Sequence, residues 1–277
     1  DQLLAFFHRP AKKTYGGTLF RNAQYLAWEW WMRIHGAGVY PVGDDMVPRL
    51  ESEAGLSATR GLVRASRRLA PGVRGHGLYQ HWRAFARGES LCTLGWGGTQ
   101  KYLRSQAPEF SSHVLVTLPP GGRDWNAGYF NWGWNFCVGA RSLRPELAYL
   151  FALFAVCPRP STDSVGESGG FFDPFRDEHY RSEAVRSAYG GQFLEVHRSA
   201  LQSCIPDFYV SGQRRYFQAL TRNLVDADLG RCSPAEAMKR TRRAWDHITR
   251  VNGTEDQIKQ WRDLKARYPR AVARHLE

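Results

Sequence analysis

The spacing of apolar and polar positions divides the chain into helical stretches separated by a few short runs of strand character. Apolar residues recur at three- and four-residue intervals over 24–35, 59–69 and 78–87. These stretches stop at Gly36, before Pro71 and at Gly88, so each predicts an amphipathic helix with a recognisable end. β-Branched or aromatic residues bounded by glycine, proline or serine predict strands over 15–20, 90–95, 112–118 and 134–140. Helices alternating with short strands, with no internal repeat, predict α/β architecture rather than a helical bundle. In the last third, Ser233-Pro234-Ala235-Glu236 joins an N-cap serine, a proline in the first turn and a capping glutamate, which predicts a helix to about Val251. Thr254-Glu255-Asp256-Gln257 repeats that logic for a helix ending near Tyr268-Pro269, and 212–229 forms another helix before both. Asn252-Gly253-Thr254 reads as a helix C-cap rather than a glycosylation acceptor. The longest apolar run, Leu147 to Cys157, falls short of the roughly 20 residues of a bilayer span and predicts a buried helix. The chain opens on an amphipathic run from Asp1-Gln2 rather than the basic and apolar regions of a secretory leader.

Two aromatic-glycine turns interrupt this pattern: Leu94-Gly95-Trp96-Gly97-Gly98 and Asn131-Trp132-Gly133-Trp134. In each, an indole stands beside glycines, so a flat ring face is offered while bare backbone stays close to whatever stacks on it. Taken singly, any of these tryptophans reads as a core residue; two such turns together point to the walls of a binding cleft. The 37 aromatic residues of the chain are a heavy load and add to that reading. Tyr25, Trp28, Trp30 and Trp31 crowd one helical segment, where Trp28 and Trp31 share an inward face with Met32 or His35 and Trp30 points elsewhere. Asn22, Gln24 and Tyr25 stand at a strand-to-helix entry, where open α/β sheets place ligands and where amides pair with hydroxyls.

Composition permits one substantial core or two modest ones, with 43% hydrophobic residues in 277. A net charge of +12 raises the question of a nucleic-acid or anionic partner. Arginine far outnumbers lysine and the basic residues are spread along the chain. The densest run, Lys239-Arg240-Thr241-Arg242-Arg243, has no aromatic interleaving and reads as a solvated helix face, so no nucleic acid is expected. The five cysteines show no CxxC pair and no histidine at metal-ligand spacing, which argues against zinc; Cys92, Cys137 and Cys157 sit in apolar runs, and Cys204 with Cys232 is the pair to test for a bridge. The motifs GxSxG, HExxH, the P-loop and GxGxxG are absent, and no cofactor is implied. His179 beside Asp177 and Glu178, and His247 beside Asp246, are acid-base neighbours of a kind that polar helix faces produce routinely. Asp44 with Asp45, or Glu51 with Glu53, supply too few oxygens for a calcium loop.

The order of these motifs resembles the extracellular solute-binding proteins of ABC importers, family 1, which include the maltose-type binders. Phe85-Ala86-Arg87-Gly88 through Gly95-Trp96-Gly97-Gly98 stands where that family carries a phrase like FAxGxxAMxxGWxG. Thr117-Leu118-Pro119-Pro120-Gly121-Gly122 resembles its PLPGG strand end, Asn131 to Val138 its glycine-bearing strand, and Arg144-Pro145-Glu146-Leu147-Ala148-Tyr149-Leu150-Phe151 its NPELAWxF helix. Gln218 to Met238 and then Trp245 to Thr249 look like its closing helices.

The resemblance implies a periplasmic-binding-protein-like (type II) two-lobe α/β fold with the solute held between lobes. The solute would be a small polar molecule, a carbohydrate or polyol, delivered by a periplasmic or extracellular protein to a membrane permease. By position, Trp96, Gly97 and Gly98 would stack on ligand, Trp132, Gly133 and Trp134, with Asn131 before them, would lie on the hinge side, and Tyr25 would close the site. Asp173 and Arg176, in a segment resembling the family's second crossover, would serve either as ligand groups or as a pair bracing the turn; Arg214 and Tyr216 fall near another cleft position. The family opens with a lobe of about a hundred residues or more that has no counterpart in this sequence. On that view 1–130 and 176–277 form most of the second lobe, 131–175 cross over into the first, and a separate N-terminal lobe or chain is a candidate partner. The resemblance implies a binding protein and not an enzyme. A carbohydrate-active hydrolase would need two carboxylates facing one bond, and a nucleic-acid module would bind with steep salt dependence.

Overall fold

The computed structural model describes residues 1–23, 25–120, 125–126, 128–130, 135–170 and 172–277, without the side chains of Tyr129 and Phe130. In chain order the elements are α1 (Gln2–Phe7), α2 (Leu26–Gly36), α3 (Glu53–Ser66), α4 (Leu78–Ala86), α5 (Gly97–Gln106), α6 (Pro108–Ser112), β1 (Gly128–Phe130), α7 (Pro145–Val156), α8 (Pro158–Gly166), α9 (Glu183–Tyr189), α10 (Gly191–Gln202), β2 (Cys204–Pro206), α11 (Gln213–Asp228), α12 (Pro234–Val251), α13 (Thr254–Lys265) and α14 (Arg270–Ala273). Two compact units result. Unit 1 gathers 1–94, 118–130 and 199–277, and unit 2 gathers 95–117 and 131–198. The sequence expectation put 95–117 and 176–198 with unit 1. They fall in unit 2 because α5 and α8 both pack on α9, around a small core of Val165, Val185, Tyr189, Phe193 and Leu194.

Unit 1 holds the larger core, built from α2, α3, α11, α12 and α13. Trp30, Trp31 and Trp245 keep polar partners for their buried indole N–H groups, whereas the equally buried Trp261 Nε1 has none among the described residues. Trp30 Nε1 donates to Thr59 Oγ1 at 2.9 Å, Trp31 Nε1 to the Pro206 carbonyl at 3.2 Å and Trp245 Nε1 to the Tyr216 carbonyl at 3.0 Å. Trp30, expected to point away from the core, is fully buried because α2 packs against α3 as well as α11; Trp28 is the half-buried one. Ser233 Oγ accepts from the Glu236 N–H at 3.1 Å, as its spacing predicts, and α12 ends at Val251. Helix α3 begins six residues before the periodic signal, at a cap in which Ser52 Oγ accepts from the Gly55 N–H at 3.2 Å. Thr254 is already the first residue of α13, whose cap is Gly253 at φ +84, so the expected serine-like capping there does not form.

Strand content is small. β1 and β2 pair in parallel, with Gly128 opposite Cys204 and Phe130 opposite Pro206. Single parallel bridges join Tyr15 to Ser90, Thr18 to Thr93 and Gly17 to Leu69, so the expected strands 15–20 and 90–95 do lie side by side. The expected strand 112–118 is instead the end of α6, a turn and a segment without regular secondary structure, and 135–140 carries no ladder among the described residues. β-Propensity makes a strand only where a neighbour supplies backbone partners.

Helix α7 forms where the apolar run predicts a helix, but its expected burial is absent. Leu147, Tyr149, Leu150, Phe151, Leu153 and Phe154 are 43–62% exposed, and only a stripe of Ala148, Ala152, Ala155 and Val156 is half-buried. The five cysteines are free, and Cys137 and Cys157 are exposed rather than buried; the Cys204–Cys232 bridge does not form. Among the described residues no helix is long and apolar enough to cross a membrane, and no group of three or more His, Cys, Asp or Glu side chains is placed to hold a metal ion.

Candidate functional site

The Trp96-Gly97-Gly98 turn sits at the start of α5 in unit 2. Trp96 is half-buried in extended conformation, its N–H 3.4 Å from Thr99 Oγ1, while Gly97 and Gly98 are buried as the first two residues of the helix. The first N–H groups of a helix have no partner within it, and here the Asp173 carboxylate lies against one of them, the Gly97 N–H, which favours its charged form. The approach is so close that a methyl group on Gly97 would lie 1.7 Å from Asp173 Oδ1 and 2.9 Å from Tyr189 Cε1. Glycine is required at this position for space, not for an unusual backbone angle.

Tyr189, the last residue of α9, completes the cluster. Its hydroxyl donates to Asp173 Oδ1 at 3.2 Å and to the Phe172 carbonyl. Lys101, one turn into α5 and fully buried, lies over the Tyr189 ring at 4.8 Å and donates to the Glu167 carbonyl at 2.9 Å. Gln100 Nε2 donates to the Tyr189 carbonyl at 2.9 Å, and Arg104 to that of Ser187 at 3.0 Å, which ties α5 to the carbonyl end of α9. Burial pushes the Asp173 carboxyl up to about 6, against the opposing pull of Tyr189, Lys101 and the Gly97 N–H. Burial also lowers the Lys101 ammonium to about 8 despite Asp173 and Glu167 nearby, and raises the Tyr189 hydroxyl well above its usual range.

Arg176 follows three residues after Asp173 and turns the other way. Its guanidinium donates to the carbonyl of Val156, the last residue of α7, and its charge centre lies 5.4 Å from the Phe175 ring centroid. Asp173 and Arg176 therefore do not pair with each other in the way the bracing alternative required. The remaining expected residues lie in unit 1 or outside the described residues. Asn22 is occupied by backbone: its Oδ1 accepts from the Tyr25 N–H at 3.2 Å and its Nδ2 donates to the His76 carbonyl at 2.8 Å. Tyr25 is buried against Phe20 and Trp28, with ring centroids 4.6 and 4.7 Å away. Arg214 is exposed on α11. Tyr216, on the same helix, is a core residue rather than a cleft residue. Its ring is fully buried and its hydroxyl is spent on Thr249 Oγ1 at 2.7 Å and Gln257 Oε1 at 3.0 Å. Gln24, Asn131, Trp132, Gly133 and Trp134 lie outside the described residues.

Lys101, Tyr189 and Glu167 were not legible as site neighbours. Lys101 carries one local signal, its position one helical turn after Gly97, whereas Tyr189 reaches the cluster only through helix packing. The acid-base neighbours seen in sequence also resolve. His179 Nδ1 accepts from the Phe175 N–H at 3.3 Å, which places the ring proton on Nε2, where it faces Ser161 Oγ at 3.1 Å. A histidine that donates to a serine cannot take that serine's proton, and both side chains are buried. On the basic run, Arg240 pairs with Glu236 at 2.9 Å and Arg242 with Glu51 at 3.0 Å.

No family model matches the chain, and no curated protein does. Solved structures do match. Maltose-bound MalE3 of T. maritima superposes with a TM-score of 0.77 at 14% identity, over 90% of this chain and 64% of that one. An ABC transporter solute-binding protein of Agrobacterium vitis S4 with bound D-mannitol gives 0.73 at 14% identity over 91% and 65%, and one from Thermotoga lettingae with α-D-tagatose gives 0.71 at 15% over 90% and 64%. The chain thus spans somewhat less than two thirds of the length of these proteins. Its fold, α/β and periplasmic-binding-protein-like of type II, is that of the solute-binding proteins of ABC transporters.

Proposed function

We propose that this chain is part of a solute-binding protein that captures a small polar molecule, a carbohydrate or polyol, and presents it to the membrane permease of an ABC importer in a periplasmic or extracellular setting. The observation that carries this reading is the half-buried Trp96 held before a pair of buried glycines at a helix start, in a fold whose solved examples include chains with bound maltose, D-mannitol and α-D-tagatose. A ring face beside bare backbone suits a ligand with one apolar side and a rim of hydroxyls. Helix α7 supports the further expectation of an additional lobe or chain, because a helix apolar on all sides belongs in a layered core.

The hydrolase alternative draws on Asp173, since a carboxyl raised to about 6 is suited to a general acid. Such an enzyme needs a second carboxylate facing the same bond, whereas the groups acting on Asp173 are Tyr189, Lys101 and the Gly97 backbone. The binding reading is therefore the better supported.

Isothermal titration with maltose, D-mannitol, ribitol and D-tagatose tests it, alongside Trp96→Ala. Covering about 60 Å² of indole is worth about 1.5 kcal/mol, so this change weakens the bound solute about tenfold. Equal affinity in the variant, or turnover of a glycoside, refutes the reading.

A further inference from the structure

The segment Asp173-Pro174-Phe175-Arg176 joins two helix ends of opposite polarity. Its carboxylate lies against Gly97 at the N-terminal end of α5, so close that a Cβ there would meet Asp173 Oδ1 at 1.7 Å, and its guanidinium meets the C-terminal end of α7 through the Val156 carbonyl. A helix carries partial positive charge at its N-terminus and partial negative charge at its C-terminus, so each side chain stands at the end whose polarity its own charge complements. At these ends α5 has only the Thr99 hydroxyl, which meets the Trp96 N–H, and the last turn of α7 carries no basic side chain of its own.

We propose that this segment is a clamp, in which Asp173 and Arg176 are positioning residues that fix the start of α5 and the end of α7, and neither is a solute group. Asp173 acts on the solute through the Trp96 turn alone. That functional consequence rests on the reading of Trp96 as the solute platform; the clamp itself does not.

Its geometry makes the clamp sensitive to protonation of one group. Facing Asp173 are Lys101 on α5, Tyr189 on α9 and Tyr180 on the turn His179–Arg181. Glu167 stands behind Lys101, while Asp177, Arg198 and His197 surround Tyr180. Lys101 changes charge near 8, Tyr180 near 12 and His197 near 4, and His179 is lowered by its burial and by Arg176. Asp173 itself changes charge near 6.

The test is a pH titration of the 277-residue chain labelled with 5-fluorotryptophan, with Trp96→Phe assigning the Trp96 fluorine signal. In the wild type that signal moves with a midpoint near 6, and in Asp173→Asn it stays still between pH 5 and 7. A wild-type signal that does not move, or one that moves identically in the variant, overturns the proposal. If Asp173→Asn does not fold, the 13C carboxyl resonance of Asp173 in the wild type, followed together with the Trp96 fluorine, decides by whether the two share one midpoint. In Arg176→Met, amide exchange quickens about tenfold in the last turn of α7 and is unchanged in α10; equal exchange in the two proteins refutes that half of the clamp. These readings use no solute, so they stand apart from the outcome of the solute titration. Where solute binds, Asp173→Asn at pH 7.5 keeps affinity within about threefold, since asparagine still accepts from the Gly97 N–H. A tenfold loss there, with the Trp96 signal unmoved, makes Asp173 a solute group and refutes its assignment.

Discussion

Gly97→Ala probes the contact on which the unit 2 site depends. The added methyl would stand 1.7 Å from Asp173 Oδ1 and 2.9 Å from Tyr189 Cε1. Non-bonded heavy atoms need about 3.5 Å, so the carboxylate must retreat by well over 1 Å and give up the Gly97 N–H. Losing a hydrogen bond to a charged group costs about 1.5–3 kcal/mol, and overpacking adds about 1–3 kcal/mol. Replacing glycine by alanine in a helix returns at most about 1 kcal/mol. The net expectation is a destabilisation of unit 2 by about 1.5–6 kcal/mol. Urea unfolding read by amide exchange measures it, because the two units of one chain need not unfold together. In an Asp173→Ala background the closer obstacle is removed and only Tyr189 Cε1 at 2.9 Å remains, so the same substitution costs less and the two positions couple by about 0.5 kcal/mol or more. A neutral Gly97→Ala, or one equally costly in both backgrounds, refutes the account of the close approach.

Two further outcomes follow from unit 1. Tyr216→Phe removes a hydroxyl bonded to Thr249 and Gln257 inside the core, so stability falls by about 1–2 kcal/mol while solute affinity is unchanged, as denaturant titration and calorimetry will show. Burial lowers His35 from 6.5 to about 4 and His81 from 6.5 to about 3. Because the unfolded chain takes up these protons first, the stability each contributes is fully present above pH 6.5 and is lost as pH falls toward those lowered values. At pH 5 the loss is about 2 kcal/mol for each histidine; a melting temperature of unit 1 that is flat from pH 7 to 5 contradicts it.

The helices were legible because the information that makes them is local. Ser233 and Glu236 lie within one turn of each other, and the apolar spacing of 24–35 and 78–87 needs no partner to be seen. The glycines beside Trp96 likewise announced a backbone that something approaches. What approaches was decided elsewhere: Asp173 and Tyr189 come from distant parts of the chain, brought to Gly97 by the packing of α5 on α9. The same holds for α2, where periodicity sent Trp30 outward and packing against α3 as well as α11 buried it. Tyr216 carries the same residue type and helical spacing whether its face meets a solute or the core, and α12 and α13 settled which. For α7, composition determined that a helix forms and that its surface is apolar, but burial depends on neighbours that composition does not name. Propensity and capping act over a turn of chain and can be read along it. Burial, charge complementarity at helix ends and the approach of one backbone to another's side chain act through space, and only the folded arrangement determines them.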